Sequence, residues 1–197
     1  MGVRENSEAL DFAGLTEGDA SAVKKAIARG ENFHGYIPDE GFDFIIRNYR
    51  LLASLGILEA PWLDAYEHAS HFAAQGVSVL QAVFNSCDRD RLLALKPLGR
   101  VLALARNDRL TLFRGCAGPI HSMGMSWTPW LGKAIWYAAK HASYCALSNL
   151  AVYAAIVPVA EIYCRLDHYD DDDCIVYVRE AWRVDVPAKE FRLDRPR

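Results

Sequence analysis

The chain is 197 residues long and 52% hydrophobic, with 22 basic and 25 acidic side chains and a net charge of −3. This composition supports a globular core rather than disorder, and it lacks the strongly basic balance of a general phosphate-backbone binder. Its apolar runs fall short of the roughly 18–20 residues that span a bilayer, and the stretch from Met1 to Phe12 has no apolar signal region. A soluble cytoplasmic protein with no membrane partner is therefore expected.

The first part of the chain reads as helix after helix. Thr16 to Asp19 is a capping sequence ahead of Ala20–Arg29, and Gly30 stands where a left-handed residue would end that helix. From Pro38 onward, Phe42, Ile45, Ile46, Tyr49, Leu52 and Leu55 recur at helical spacing until Gly56. Pro61 opens a further helix over Trp62–Ala74, closed by Gly76, and Val77–Phe84 continues helical. Asp88–Leu95 predicts another short helix before Pro97. The aromatic set Phe33, Tyr36, Phe42 and Phe44 points to packing rather than to a defined partner.

Near residue 108 the texture changes. Leu110–Arg114 is β-prone and followed by Gly115, Gly118 and Pro119 mark a loop, and Met125–Thr128 predicts a second short strand. Leu131–Ser143 predicts an alanine-rich helix, and Ala151–Val157 a strand ended by Pro158. Cys174–Val178 and Trp182–Val186 predict two more strands, expected as neighbours in an antiparallel sheet. The fold class is α+β, with a helical region over residues 1–106 and a mixed region over residues 107–197. The stretch Lys96–Asp108 carries Leu98, Val101, Leu102, Leu104 and Ala105, too apolar for a flexible linker, so one cooperative unit is expected. Cys87, Cys116, Cys145, Cys164 and Cys174 show no CxxC spacing, as expected of reduced thiols, many of them buried as small apolar groups.

Three features of the second region stand together. Arg114–Gly115 ends a predicted strand; a guanidinium there can grip a pyrophosphate with its planar fork, and the glycine can admit a ligand to the backbone. In Gly124–Met125–Ser126–Trp127–Thr128, strand alternation points both hydroxyls one way and the indole the other. Asp170–Asp173 leads into the strand from Cys174 and offers a carboxylate at its head. Singly, these are a turn arginine, ordinary strand hydroxyls and a solvated acidic loop. Their order is what carries information.

That order resembles the arginine–serine–glutamate class of ADP-ribosyltransferases: Arg-Gly, then Ser-Trp-Thr ahead of a helix with Ala134-x-Trp136-Tyr137-Ala138, then an acid-x-acid pair entering a strand. Compact phage- and plasmid-associated members with a Gly-Met-Ser-Trp-Thr-like string are the most similar, and the resemblance covers about residues 108–186. It implies a split β-sheet core binding NAD as co-substrate; the helical half, which the resemblance does not reach, is expected to pack on that core through its broad apolar faces. Asp173 falls on the catalytic acid, which is Glu in the family, Asp171 on the upstream acid, and Arg114 on the residue that holds the NAD phosphates or ribose. The NAD-binding set so implied is Arg114, Gly115, Ser126, Trp127, Thr128, Trp130 and Tyr137, with Trp130 or Tyr137 stacking on nicotinamide. The implied activity is mono-ADP-ribosylation of a macromolecule, protein or nucleic acid, as a toxin or phage-conflict factor. NAD glycohydrolysis and a degenerate binding module are the alternatives. The helical region would then recognise the acceptor, hold a neutralising partner protein, or brace the sheet.

Breaking the nicotinamide–ribose bond passes through an oxocarbenium-like centre, which a nearby carboxylate stabilises. Nicotinamide leaves as a neutral ring and needs no general acid, whereas an incoming nucleophile needs a base, for which Asp171 is the positional candidate. Other constellations are weaker. His68 and His71 beside Glu67 have a metal-compatible spacing without a third ligand, so no metal is expected. Cys116 and His121 are close only in sequence, and neither GxxxxGK nor GxGxxG occurs.

Overall fold

Helix α1, Glu17–Arg29, begins where Thr16 adopts extended backbone and its Oγ1 accepts from the Asp19 amide at 3.2 Å. It ends at Gly30, whose φ of 70° permits paired backbone bonds from Gly30 to Ile27 and from Glu31 to Ala26. The computed structural model describes residues 9–68, 76–118, 124–167 and 172–194. Two units are distinguished, Met1–Leu95 and Lys96–Arg197. The boundary thus falls ahead of the 3-10 turn Gly99–Leu104, where the sequence places it at residue 106.

The first unit continues with α2 (Gly41–Ser54), α3 (Glu59–His68), α4 (Val77–Ser86) and α5 (Arg89–Leu95). Helix α3 starts two residues before Pro61, which therefore sits in the first turn, where an amide has no intrahelical acceptor to lose. The expected continuation to Ala74 lies largely outside the described residues. The core is aromatic: Phe33 meets Phe44 edge-on at 5.6 Å, and Phe84 meets Trp62 at 5.3 Å and Tyr66 at 5.2 Å. Such pairs each add about 0.5–1.5 kcal/mol to the burial itself. Tyr36, by contrast, is exposed, its hydroxyl donating to Glu31.

In the second unit β1 (Arg109–Cys116) pairs antiparallel with β3 (Ala151–Pro158), and β3 with the edge strand β6 (Trp182–Val184). A second sheet has the order β2–β5–β4, from Ser126–Trp127, Asp173–Ile175 and Cys164–Leu166. One antiparallel bridge joins them: Phe113 and Thr128 exchange both backbone hydrogen bonds, at 2.7 and 2.8 Å. Read across, the strands run 4-5-2 and then 1-3-6, two three-stranded halves hinged between β2 and β1. Helix α6 (Leu131–Cys145) follows β2 and packs on β1. The architecture is α+β. The expected pairing of the last two strands is corrected: β5 lies between β2 and β4, while β6 pairs with β3 in the other sheet. The three-residue β4 takes the place beside β5 and is too short to carry a periodic signal.

His34 has one titration to offer. It is buried, Nε2 has no hydrogen-bond partner, and its ring stacks on His68 at 5.8 Å. Burial lowers its pKa below the ordinary 6.5; Asp64 opposes this and His68 adds to it. With a lowered folded-state value, the unfolded chain takes the proton first, so stability falls as pH drops below about 6.5. Thermal melts between pH 7.5 and 5 should show this loss, and His34→Gln should flatten it; an unchanged pH slope would show that His34 is not responsible. A second expectation concerns the boundary: a fragment from Lys96 should melt more cooperatively and at higher temperature than one from Asn107, which lacks Arg100 and the Lys96 carbonyl bonded to the Arg165 amide. Equal melts would place residues 96–106 outside the folded unit.

Candidate active site

Along β1, Leu110 and Leu112 alternate into the core, and half-buried Arg114 shares their parity. Its guanidinium turns toward β2, where Nη1 donates to the Ser126 carbonyl oxygen at 2.7 Å. A charge-assisted bond of this kind contributes about 1.5–3 kcal/mol. The same guanidinium lies over Gly124: a Cβ there would collide with Nη2 and Cζ. Gly124 is held in turn by Trp127, whose Nε1 donates to its carbonyl at 3.0 Å. Arg114, Gly124, Ser126 and Trp127 are thus one connected piece of structure.

Three residues of the expected NAD-binding set are engaged within the fold. Trp127 is only 1% exposed, so its indole is core and bonds the Gly124 carbonyl. Gly115 faces α6: a Cβ on it would collide with the Ala134 carbonyl and stand 2.7 Å from the Ala138 nitrogen. The missing side chain admits a helix backbone, and buried Ala134 and Ala138 complete that close approach. Thr128 is 2% exposed; besides its backbone bridge, its Oγ1 accepts from the Trp130 amide at 3.3 Å. That hydroxyl helps to frame the turn into α6.

At the head of β5 the acidic run divides. Asp173 is half-buried and receives a hydrogen bond from the Tyr137 hydroxyl on α6 at 3.4 Å. Tyr137 also lies against Trp136, with ring centroids 5.0 Å apart. Asp171 is outside the described residues. Asp172, which the sequence gives no reason to separate from its neighbours, has no exposed surface and a left-handed φ of 52°. Arg100 donates to it through Nε at 3.1 and 2.8 Å and through Nη2 at 2.8 Å. Arg165 Nη1 approaches Oδ1 at 2.7 Å, and Trp130 Nε1 donates to Oδ2 at 3.1 Å. Burial alone would raise the Asp172 pKa, but the bonds from Arg100, Trp130 and Arg165 outweigh it and hold the carboxyl below its usual range. Trp130, at 39% exposure, keeps part of its ring on the surface.

Of the cysteines of this unit, Cys145 is exposed, whereas Cys116 and Cys174 are buried and ill-suited to nucleophilic work. Cys116 is buried, donates toward the Ala151 carbonyl at 3.6 Å, and has its pKa raised by burial against the opposing pull of Arg114 and Arg183. Burial pushes Cys174 up to about 12, with Asp173 and Asp172 adding to the shift. Among the described residues, no group of three or more His, Cys, Asp or Glu side chains is disposed to hold a metal ion, and no helix is long and apolar enough to cross a membrane. Of the expected residues, Arg114 and Ser126 are in direct contact, as are Tyr137 and Asp173. Comparison with family models, curated proteins and solved structures gives no match.

The two glycines separate fold from site. Gly115→Ala must displace helix backbone and should destabilise by about 1–3 kcal/mol or more. Gly124→Ala meets the far end of a flexible side chain, so the Arg114 guanidinium should swing aside, with a loss smaller than that of Gly115→Ala and no larger than the roughly 1.5–3 kcal/mol of its bond to Ser126. Urea unfolding of both variants checks this; equal losses would mean that Gly124, too, serves the core.

Proposed function

We propose that the chain is a mono-ADP-ribosyltransferase that cleaves the nicotinamide–ribose bond of NAD and passes ADP-ribose to a macromolecular acceptor. The observation that carries this reading is the meeting of three strands in the order the motif requires. Arg114 on β1 bonds the β2 residue Ser126, β2 pairs with β5, and Asp173 opens β5. A sheet divided between β1 and β2 supports the same reading, since a split core is what the resemblance implies.

On this reading each group has a task its chemistry suits. The Arg114 guanidinium, which bonds the Ser126 carbonyl, sets a planar cation beside β2 that suits the NAD phosphates or ribose. Asp173 stabilises the positive charge that grows on the ribose C1′ as its bond to nicotinamide lengthens. The bonding electrons leave with nicotinamide, which departs neutral, and the acceptor's lone pair takes their place on C1′. The acceptor's proton passes to a base, for which the sequence position indicates Asp171. Tyr137, hydrogen-bonded to Asp173, orients that carboxylate.

Incubation with NAD labelled in the ADP-ribose moiety tests the reading. Transfer of label to cellular protein or nucleic acid is expected; release of free ADP-ribose alone would make the chain a glycohydrolase, and neither product would overturn the proposal. Asp173→Asn keeps the shape and removes the charge, and should lower turnover by about 10²–10³ with Tm little changed. Near-wild-type turnover in that variant would remove Asp173 from the chemistry.

A further inference from the structure

We propose that Asp172 is the positioning residue of this site: its buried carboxylate aims the Trp130 indole and fixes the backbone entering β5, from which Asp173 projects. The inference rests on the NAD reading above. Its basis is that Asp172 ties three segments to the strand it adjoins. Arg100 comes from the 3-10 turn Gly99–Leu104, Arg165 from β4, Trp130 from the residue capping α6, and Asp172 itself adjoins β5. Its side chain has no exposed surface, whereas that of Arg100 is 60% exposed and that of Arg165 14%. The guanidinia thus reach in to a fixed carboxylate.

The contact with Trp130 is directional. A single N–H on the indole edge donates to Oδ2, which sets the ring's rotation about its own stem while leaving part of the ring at the surface. An aromatic ring held by its edge at the start of α6 offers a face for a planar ligand group. Trp130, the residue capping α6, bonds Asp172, and Tyr137, seven residues further on and inside the helix, bonds Asp173. Adjacent carboxylates therefore tie one helix to one strand at two points two turns apart. Asp172 makes no claim on the reacting atoms. It acts through its neighbours.

Two variants test this with readouts that a merely structural role would leave alone. Trp130→Phe keeps a ring and removes its donor, so the Asp172–arginine contacts survive. It should raise the KM for NAD about threefold or more with kcat within about twofold. Asp172→Asn keeps the shape and removes the charge; it should raise KM similarly and also lower kcat by about tenfold, because Asp173 loses its fixed approach. The Trp130 indole N–H resonance, identified by its absence from Trp130→Phe, should shift in Asp172→Asn toward the position of a free indole. If that resonance does not move, the indole is not held by Asp172 and the proposal fails, whatever NAD does. Lower Tm with unchanged KM and kcat per folded enzyme would also overturn it, leaving Asp172 a purely structural residue. If Asp172→Asn does not fold, an unchanged KM in Trp130→Phe overturns it alone. A wild-type protein inert toward NAD would instead defeat the functional reading, and the positioning role at an NAD site would fall with it.

Discussion

The second unit depends on one buried carboxylate. Asp172 is removed from water by segments that contribute two guanidinia and an indole donor, and its lowered pKa keeps it charged. Taking a carboxylate out of water is costly, and only close bonds to nearly all its lone pairs make such burial tolerable. Once they form, loss of one partner leaves an uncompensated charge and costs about 3–5 kcal/mol, a large part of the roughly 5–15 kcal/mol that holds a domain together. The contribution of that lowered pKa is full above the ordinary carboxyl value of 3.8 and is lost as pH falls from there through the lower folded-state value. The left-handed φ at Asp172 belongs to the same constraint, since Asp tolerates that region better than most residues and the clamp holds it there.

Close backbone approach is the second constraint, and it works differently at two glycines. At Gly115 a strand and a helix meet backbone to backbone, with Ala134 and Ala138 keeping the helix face small. At Gly124 it is an arginine head group that occupies the space, and the bond from Trp127 keeps the glycine in place beneath it. One glycine therefore determines where α6 lies, and the other where a cation lies. Substitution patterns at the two positions report on different links, packing in one case and the site in the other.

The legible parts of the sequence were those with local causes. Thr16 and Gly30 bound α1 because capping needs only a hydroxyl at one end and a positive φ at the other. The α+β division was legible because helical and strand periodicities differ. The pairing of strands was not, since β6 and β5 have similar character and only long-range contacts decide that one joins β3 and the other β2. Nor could four consecutive aspartates reveal that one of those described, Asp172, is buried: the information lies in Arg100 and Arg165, 72 and 7 residues away in the chain. A motif gives spacing and not direction, so it does not say that Trp127 is buried or that Gly115 meets a helix backbone. Alternation did point the Trp127 indole away from the hydroxyls, and that simpler argument agrees with its burial.

An aspartate at the head of β5 makes demands of its own on the frame. Its carboxylate sits one methylene closer to the backbone than a glutamate's and has one fewer torsion with which to find a ligand. The reach a glutamate would take from side-chain freedom must come from where the strand is set. At Asp173 that setting has two visible sources: the register of β5 between β2 and β4, and the clamp on the residue immediately before it. The Tyr137 hydroxyl then limits the remaining rotation of the carboxylate. On the proposed reading a rigid, well-placed Asp offsets its shorter reach, because catalysis by a fixed charge improves as the charge has less to reorganise. The rigidity of Asp172 and the shortness of Asp173 are then two sides of one arrangement.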